Sequence, residues 1–153
     1  GADVNKAATA GFLHDCAKGK SETELLELCE KFNIQVDEYK KMQPDLLHDE
    51  VGAFVAKTDY GIEDEEILNA IRVHTMGREN MSLLEKIVFI ADYIEPGRKF
   101  PGVEAIRKLA YKDIDKSILQ ALDTTLIHLI KIGAIIHPDT IKTRNYFLSK
   151  TLH

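Results

Sequence analysis

Helix-start signals recur along this chain, and no segment between them alternates like a surface strand. Ser21-x-x-Glu24 and Ser82-x-x-Glu85 are capping boxes, in which a serine hydroxyl and a glutamate carboxylate satisfy free amides at the start of a helix. Asp64 and Asp113 suit N-caps, and Pro44 and Pro138 suit a first helical turn, where the missing N–H costs nothing. The predicted class is therefore all-α. Helices are expected over about Asn5 to Lys18, closed by Gly19, and from Ser21 through Leu25, Leu26 and Leu28. Others run from Pro44 through Leu46, Val51, Phe54 and Val55, and from Asp64 through Ile67 and Ile71 to His74, with Gly77 ending the segment. Further helices span Ser82 to Ile94, Val103 to Ala110 and Asp113 to Gly133, and the last starts at Pro138. Asn33 to Met42 reads as irregular with one short turn, and Lys57 to Glu63 as a loop around Gly61. The run from Lys86 to Ile94 is rich enough in β-branched residues to pass for a buried strand; its capping box decides for helix.

With 153 residues, 44% of them hydrophobic and 29% charged, the chain can bury one core. No apolar run reaches the ~18–20 residues of a membrane span. A net charge of −5 argues against nucleic acid as a partner. The opening Gly1-Ala-Asp-Val-Asn5 has neither the basic nor the apolar part of a signal peptide. Cys16 and Cys29 form no CxxC pair, so no disulfide framework is expected and a cytoplasmic setting fits. The sequence leaves a homodimer open.

Polar residues on apolar faces then stand out. His14 lies over Ala7, Ala10 and Gly11, with Ala17 ahead of it, a face of small residues with room for more than a side chain. His48 shares a stripe with Val51, Gly52 and Val55, and His74 with Ile67, Ala70 and Ile71. Asp92 follows Val88 and Phe89. Each polar group points toward the core, where an unpaired one costs roughly 2–7 kcal/mol. A single inward histidine is usually a core residue bonded to a carbonyl. Three histidines and the aspartates Asp15 and Asp92, spread over separate helices, are hard to explain as independent accidents. Neighbours on a helix diverge by roughly 100°, so His14 and Asp15 share an ion only at the helix edge. Imidazole with carboxylate suits Fe, Mn, Zn or Ni more than Ca.

These stretches resemble the HD-domain metal phosphohydrolases, and within them the bacterial YqeK type, symmetrical diadenosine tetraphosphate hydrolases. The similarity is carried by Ala10–Lys18 around His14-Asp15, Pro44–Ala53 around His48, Ile71–Arg78 around His74, Lys86–Arg98 with its Glu-Pro-Gly-Arg end, and Ile136–Asn145 with its Arg-Asn pair. It implies an HD-domain helical bundle and two divalent transition-metal ions, iron first, with Mn, Ni or Zn as alternatives. His14, Asp15 and Asp92 would hold one ion; His48 and His74 would hold the other, with Asp15 bridging. The family carries a further histidine on an upstream helix, and none precedes His14 here. The resemblance thus implies a single HD domain over residues 1–153 that lacks its N-terminal helix. His128, His137 and His153 are replacements only in principle. His128 sits among Leu126, Ile127, Leu129 and Ile130 and reads as core, and His137 reads as structural.

A phosphohydrolase also needs cations for its substrate. Lys18 is read as a catalytic and substrate-binding residue on the His14 helix, with Asp15 as its catalytic companion. Thr75, Arg78, Arg98, Arg144 and Asn145 are the other candidates for the phosphate chain, and Lys99 is read as solvated. Cys16 receives no role. The expected reaction is symmetrical cleavage of diadenosine tetraphosphate, or another dinucleoside polyphosphate, to two ADP by an activated water. Two rivals stand beside it: a nucleotide phosphomonoesterase or phosphodiesterase on the same scaffold, and a metal- or nucleotide-binding module without turnover.

Overall fold

A computed structural model describes residues 1–152. Asp3 accepts hydrogen bonds from the amides of Asn5 and Lys6 and starts α1 (Val4–Leu13). The Ser21 capping box forms as read and opens α2 (Glu22–Lys31). Asp37 caps the short α3 (Glu38–Met42). A 3₁₀ turn over Pro44–Leu47 leads into α4 (His48–Tyr60). Asp64 caps α5 (Glu65–Arg72), and the Ser82 box opens α6 (Leu83–Tyr93), which is helix and not strand. Then follow α7 (Val103–Ala110), α8 (Ile114–Lys131) and α9 (Pro138–Thr151). No strand occurs among the described residues, and no helix is long and apolar enough to cross a membrane.

Two apolar clusters hold the site between them. The first joins α1, α4, α5 and α6 through Leu13, Ile67, Leu68, Ile71 and Val88, with Ala10, Ala53, Ala56 and Ala70 at the seams. Alanines there let the helix axes approach closely, so polar groups at the helix ends can meet. The second joins α6 to α7, α8 and α9 through Phe89, Ile90, Ile106, Ile118, Leu122 and Phe147. A third packs α2 on α4 around Leu25, Cys29, Val51 and Val55.

Three boundaries and one burial differ from the sequence reading. The first helix stops at Leu13, not Lys18, and residues 14–19 continue in tight turns such as Cys16 N–H to Leu13 O and Lys18 N–H to Asp15 O. The Asp64 helix stops at Arg72, before His74. At both stops the histidine ring lies against a carbonyl of the last turn. His14 Nδ1 lies 2.6 Å from Gly11 O, and His74 Nδ1 lies 2.7 Å from Ile71 O. Lys57–Tyr60 is helix instead of loop, because Gly61, at φ 69°, closes α4 from its own left-handed cap position. His128 is exposed and not core, as are Ile127 and Ile130 beside it. His153 lies outside the described residues.

Candidate metal centre

Each histidine predicted as a ligand sits at a helix end. His14 follows α1, His48 opens α4, and His74 lies in the turn after α5. All three use the same device. His48 Nδ1 lies 2.6 Å from Asp45 O, as His14 and His74 lie near Gly11 O and Ile71 O. A carbonyl can only accept, so each Nδ1 carries the hydrogen and each Nε2 keeps its lone pair. The turn that aims His74 needs Gly77. Its φ is +66°, and a Cβ there would lie 2.8 Å from Thr143 Cγ2.

The free nitrogens then converge. His48 Nε2 and His74 Nε2 are 3.2 Å apart, two lone pairs that face each other unless a cation or proton intervenes. Asp15 straddles the group. Its Oδ1 lies 3.4 Å from His74 Nε2 and 3.6 Å from His48 Nε2, while its Oδ2 lies 3.4 Å from His14 Nε2. Asp92 Oδ1 lies 3.5 Å from His14 Nε2. Donors bound to one ion at ~2.0–2.1 Å are themselves separated by roughly 3.0–3.4 Å, close to these spacings. Asp15 Oδ1 is buried without a hydrogen-bond partner. Imidazole nitrogens, carboxylate oxygens and this orphaned acceptor therefore fit a divalent transition metal.

The geometry groups His14, His74 and Asp92 in one set and Asp15, His48 and His74 in another. His74 thus serves both sets, whereas the sequence reading gave it to one. The two oxygens of Asp15 face different histidines, as a bridging carboxylate requires.

The charges adapt to one another. His74, then Lys18 and His14, hold the Asp15 carboxyl below its ordinary range, against the opposing effect of burial. Asp92 raises the His14 pKa, whereas burial lowers that of His48. Burial raises Asp92, but His14 and Arg98 outweigh it and leave that carboxyl low.

The substrate candidates separate into two groups. Lys18 Nζ lies 3.1 Å from Asp15 Oδ2, and Thr75 Oγ1 lies 3.4 Å from His48 Nε2. Both line a cavity of about 210 Å³ over the histidines, together with Asp45, Tyr93, Arg98 and Thr125. Arg98 reaches Asp92 Oδ1 at 3.2 Å and also lines a cavity of about 470 Å³ against Gly11, Ala91 and Glu95. Lys18 comes from the turn after α1, not from the helix itself. Arg78 is held elsewhere: it grips the buried Glu85 at 2.6 and 3.3 Å. Arg144 bonds Asp123 at 2.7 Å and Asn145 at 3.3 Å. None of Arg78, Arg144 and Asn145 lines these two cavities. His137 is structural, as read: it caps α9 and lies 2.9 Å from Asp37 Oδ2. Asp45, Tyr93 and Thr125 were missed by sequence. Asp45 and Tyr93 lie within segments already singled out, Pro44–Ala53 and Lys86–Arg98, while Thr125 carried no signal.

Comparison with known proteins shows the family. The HD domain family matches residues 1–97, which contain every proposed ligand. A symmetrical bis(5'-nucleosyl)-tetraphosphatase of Bacillus subtilis is 41% identical over 151 residues, covering 97% of this chain and 80% of the relative. Its counterpart from Halalkalibacterium halodurans is 46% identical over 148 residues, covering 97% and 79%. The crystal structure of a predicted HD superfamily hydrolase involved in NAD metabolism, from Clostridium acetobutylicum, superposes with a TM-score of 0.94 at 45% identity. That match covers 97% of this chain and 78% of the other. The chain belongs to the HD-domain family.

Proposed function

We propose that this protein hydrolyses diadenosine tetraphosphate symmetrically, giving two ADP. The carrying observation is the paired ligand set around Asp15, joined to the same cleft as Lys18, Thr75 and Arg98. The named activity of relatives at 41% and 46% identity supports the choice of substrate. His14, His48, His74, Asp15 and Asp92 would hold two ions, iron first among Fe, Mn, Ni and Zn. Such ions, when bound, supply an activated water and neutralise charge on the phosphates.

The chain's own groups complete the chemistry. Asp15 presents one oxygen to each histidine group and keeps the two sets in register. Lys18 offsets the charge of Asp15 and faces the phosphates. Arg98 and Thr75, both lining the cavity over the histidines, would donate to the phosphate chain. His48 turns Nδ1 to Asp45 O and leaves its Nε2 for coordination. A cytoplasmic setting suits Cys16 and Cys29, both free.

The test is removal and return of metal. Chelator-stripped protein should lose turnover of diadenosine tetraphosphate and regain it with Fe or Mn. Full turnover by stripped protein would refute the proposal.

A further inference from the structure

Arg98 stands in the loop after α6, where residues 95–99 are all exposed and none adds a side chain to the core. Its own side chain is 43% exposed, and its carboxylate partners are Asp92 Oδ1 at 3.2 Å and Glu95 Oε1 at 3.8 Å. Surface ion pairs of this kind do little to fix a long side chain. The backbone beneath it is held more firmly. Arg107, on α7, donates from Nε to Ile94 O at 2.8 Å, and from Nη2 to Glu95 O at 2.6 Å and to Arg98 O at 2.9 Å. Its remaining nitrogen, Nη1, pairs with Glu104 one turn earlier on the same helix. Ile106, the residue before Arg107, is 1% exposed and belongs to the second apolar cluster, so these bonds tie the loop to the core.

We propose that Arg107 is a positioning residue: by holding three carbonyls of this loop it fixes where Arg98 meets the phosphate chain. The assignment rests on the hydrolase reading above and adds what orients one of its substrate-binding groups. Bonds to Ile94 O and Glu95 O alone would only cap the end of α6, whose last carbonyls lack partners within the helix. The bond to Arg98 O goes further, because it fixes the backbone of the arginine that lines the cavity over the histidines. A guanidinium suits this task. Its planar fork meets several acceptors at set angles, and its charge strengthens each bond. Lysine has a single ammonium on a flexible stem and cannot span the three carbonyls in the same way. Direct contact of Arg107 with substrate is the rival reading. Four of its five N–H donors are already engaged, and it does not line the cavity over the histidines. Its effect on substrate therefore passes through Arg98. Misplacing a binding group by about 1 Å can cost ~100-fold in rate, so a loose loop would disable Arg98 with its charge intact.

The experiment is a double-mutant cycle on the metal-loaded enzyme, with KM and kcat for diadenosine tetraphosphate and bound metal measured for each form. Arg107→Ala should raise KM about tenfold, as Arg98→Ala does, with kcat within about threefold and metal retained. Added to Arg98→Ala, it should raise KM by less than about twofold more, since the group it positions is already gone. Arg107→Lys should fall between wild type and Arg107→Ala. Without metal or substrate, hydrogen exchange over residues 94–99 should be faster in Arg107→Ala and unchanged over α5. Effects that multiply to about a hundredfold in the double variant overturn the proposal, because Arg107 then acts without Arg98. A wild-type KM or unchanged exchange in Arg107→Ala overturns it as well, and so does loss of metal in that variant. If Arg107→Ala does not fold, Arg107→Lys carries the same cycle. A wild-type KM in Arg98→Ala overturns the assignment and leaves cleavage itself in place. A wild type that does not cleave diadenosine tetraphosphate overturns the hydrolase reading, and this assignment with it.

Discussion

Asp15→Asn is the substitution that most sharply divides the proposed centre from an ordinary polar cluster. The asparagine keeps the shape of the side chain, so the turn after α1 should form as before. It removes the charge from a group whose oxygens lie 3.4 and 3.6 Å from His74 and His48 on one side and 3.4 Å from His14 on the other. Loss of groups that merely support a ligand costs ~10–100-fold in metal affinity, so loss of a bridging ligand should cost at least ~100-fold, or ~2.8 kcal/mol. Because Asp15 faces both histidine sets, both ions should weaken. Asp92→Asn is the control: Asp92 belongs only to the set with His14 and His74, so one ion should weaken and the other remain. Equilibrium dialysis against Fe or Mn, followed by elemental analysis, gives ions per chain for each variant. Retention of two ions by Asp15→Asn with affinity within threefold of wild type would refute the bridging role. Identical losses in both variants would refute the division into two sets.

Other outcomes follow from particular contacts. Arg98→Ala should raise the KM for diadenosine tetraphosphate about tenfold or more, the cost of a charge-assisted bond, with metal content retained; loss of metal instead would make Arg98 a support for Asp92. Arg78→Ala should lower stability by about 2 kcal/mol in urea unfolding, since it strands the buried Glu85, with KM changed less than twofold; the opposite pattern would return Arg78 to the substrate. Gly77→Ala should cost about 2 kcal/mol and loosen metal binding through His74, because it forces an L residue to φ +66° against Thr143; full stability would show that the turn relaxes freely. Burial works against the Asp37 carboxylate, but the Lys40 amide and His137 hold its pKa below the ordinary value. Its contribution is therefore full above the unfolded value near ~3.9 and lost as pH falls through the lower folded one. Asp37→Asn should flatten the acid limb of the stability curve, and an unchanged limb would refute the link.

Side chains that the fold brings together at the candidate centre were easier to single out in the sequence than the partners of the cations, for a physical reason. His48, His74 and Asp92 share apolar stripes with their own helices, and periodicity exposes such residues one element at a time. The strand alternative for Lys86–Ile94 likewise fell to a local feature, the Ser82 box. Partner choice is tertiary. Nothing near Arg78 says that Glu85 will claim it, and nothing near Arg144 points to Asp123. The helix ends were misplaced where a histidine ring turns back onto the last helical turn, as at His14 and His74, or where a glycine closed a helix that polar residues seemed to break, as at Gly61. His128 looked like core because its neighbours are aliphatic; α8 leaves Ile127 and Ile130 exposed beside it.

Product identity is the most direct test of the whole account. Metal-loaded protein is incubated with diadenosine tetraphosphate, and the nucleotides are separated by anion-exchange chromatography from the first turnovers onward. The account expects ADP alone, two for each substrate consumed, with turnover lost in Asp15→Asn. AMP with ATP in equal amounts would place the cut at another phosphate and contradict symmetrical cleavage, and no product from the fully loaded protein would contradict hydrolysis itself.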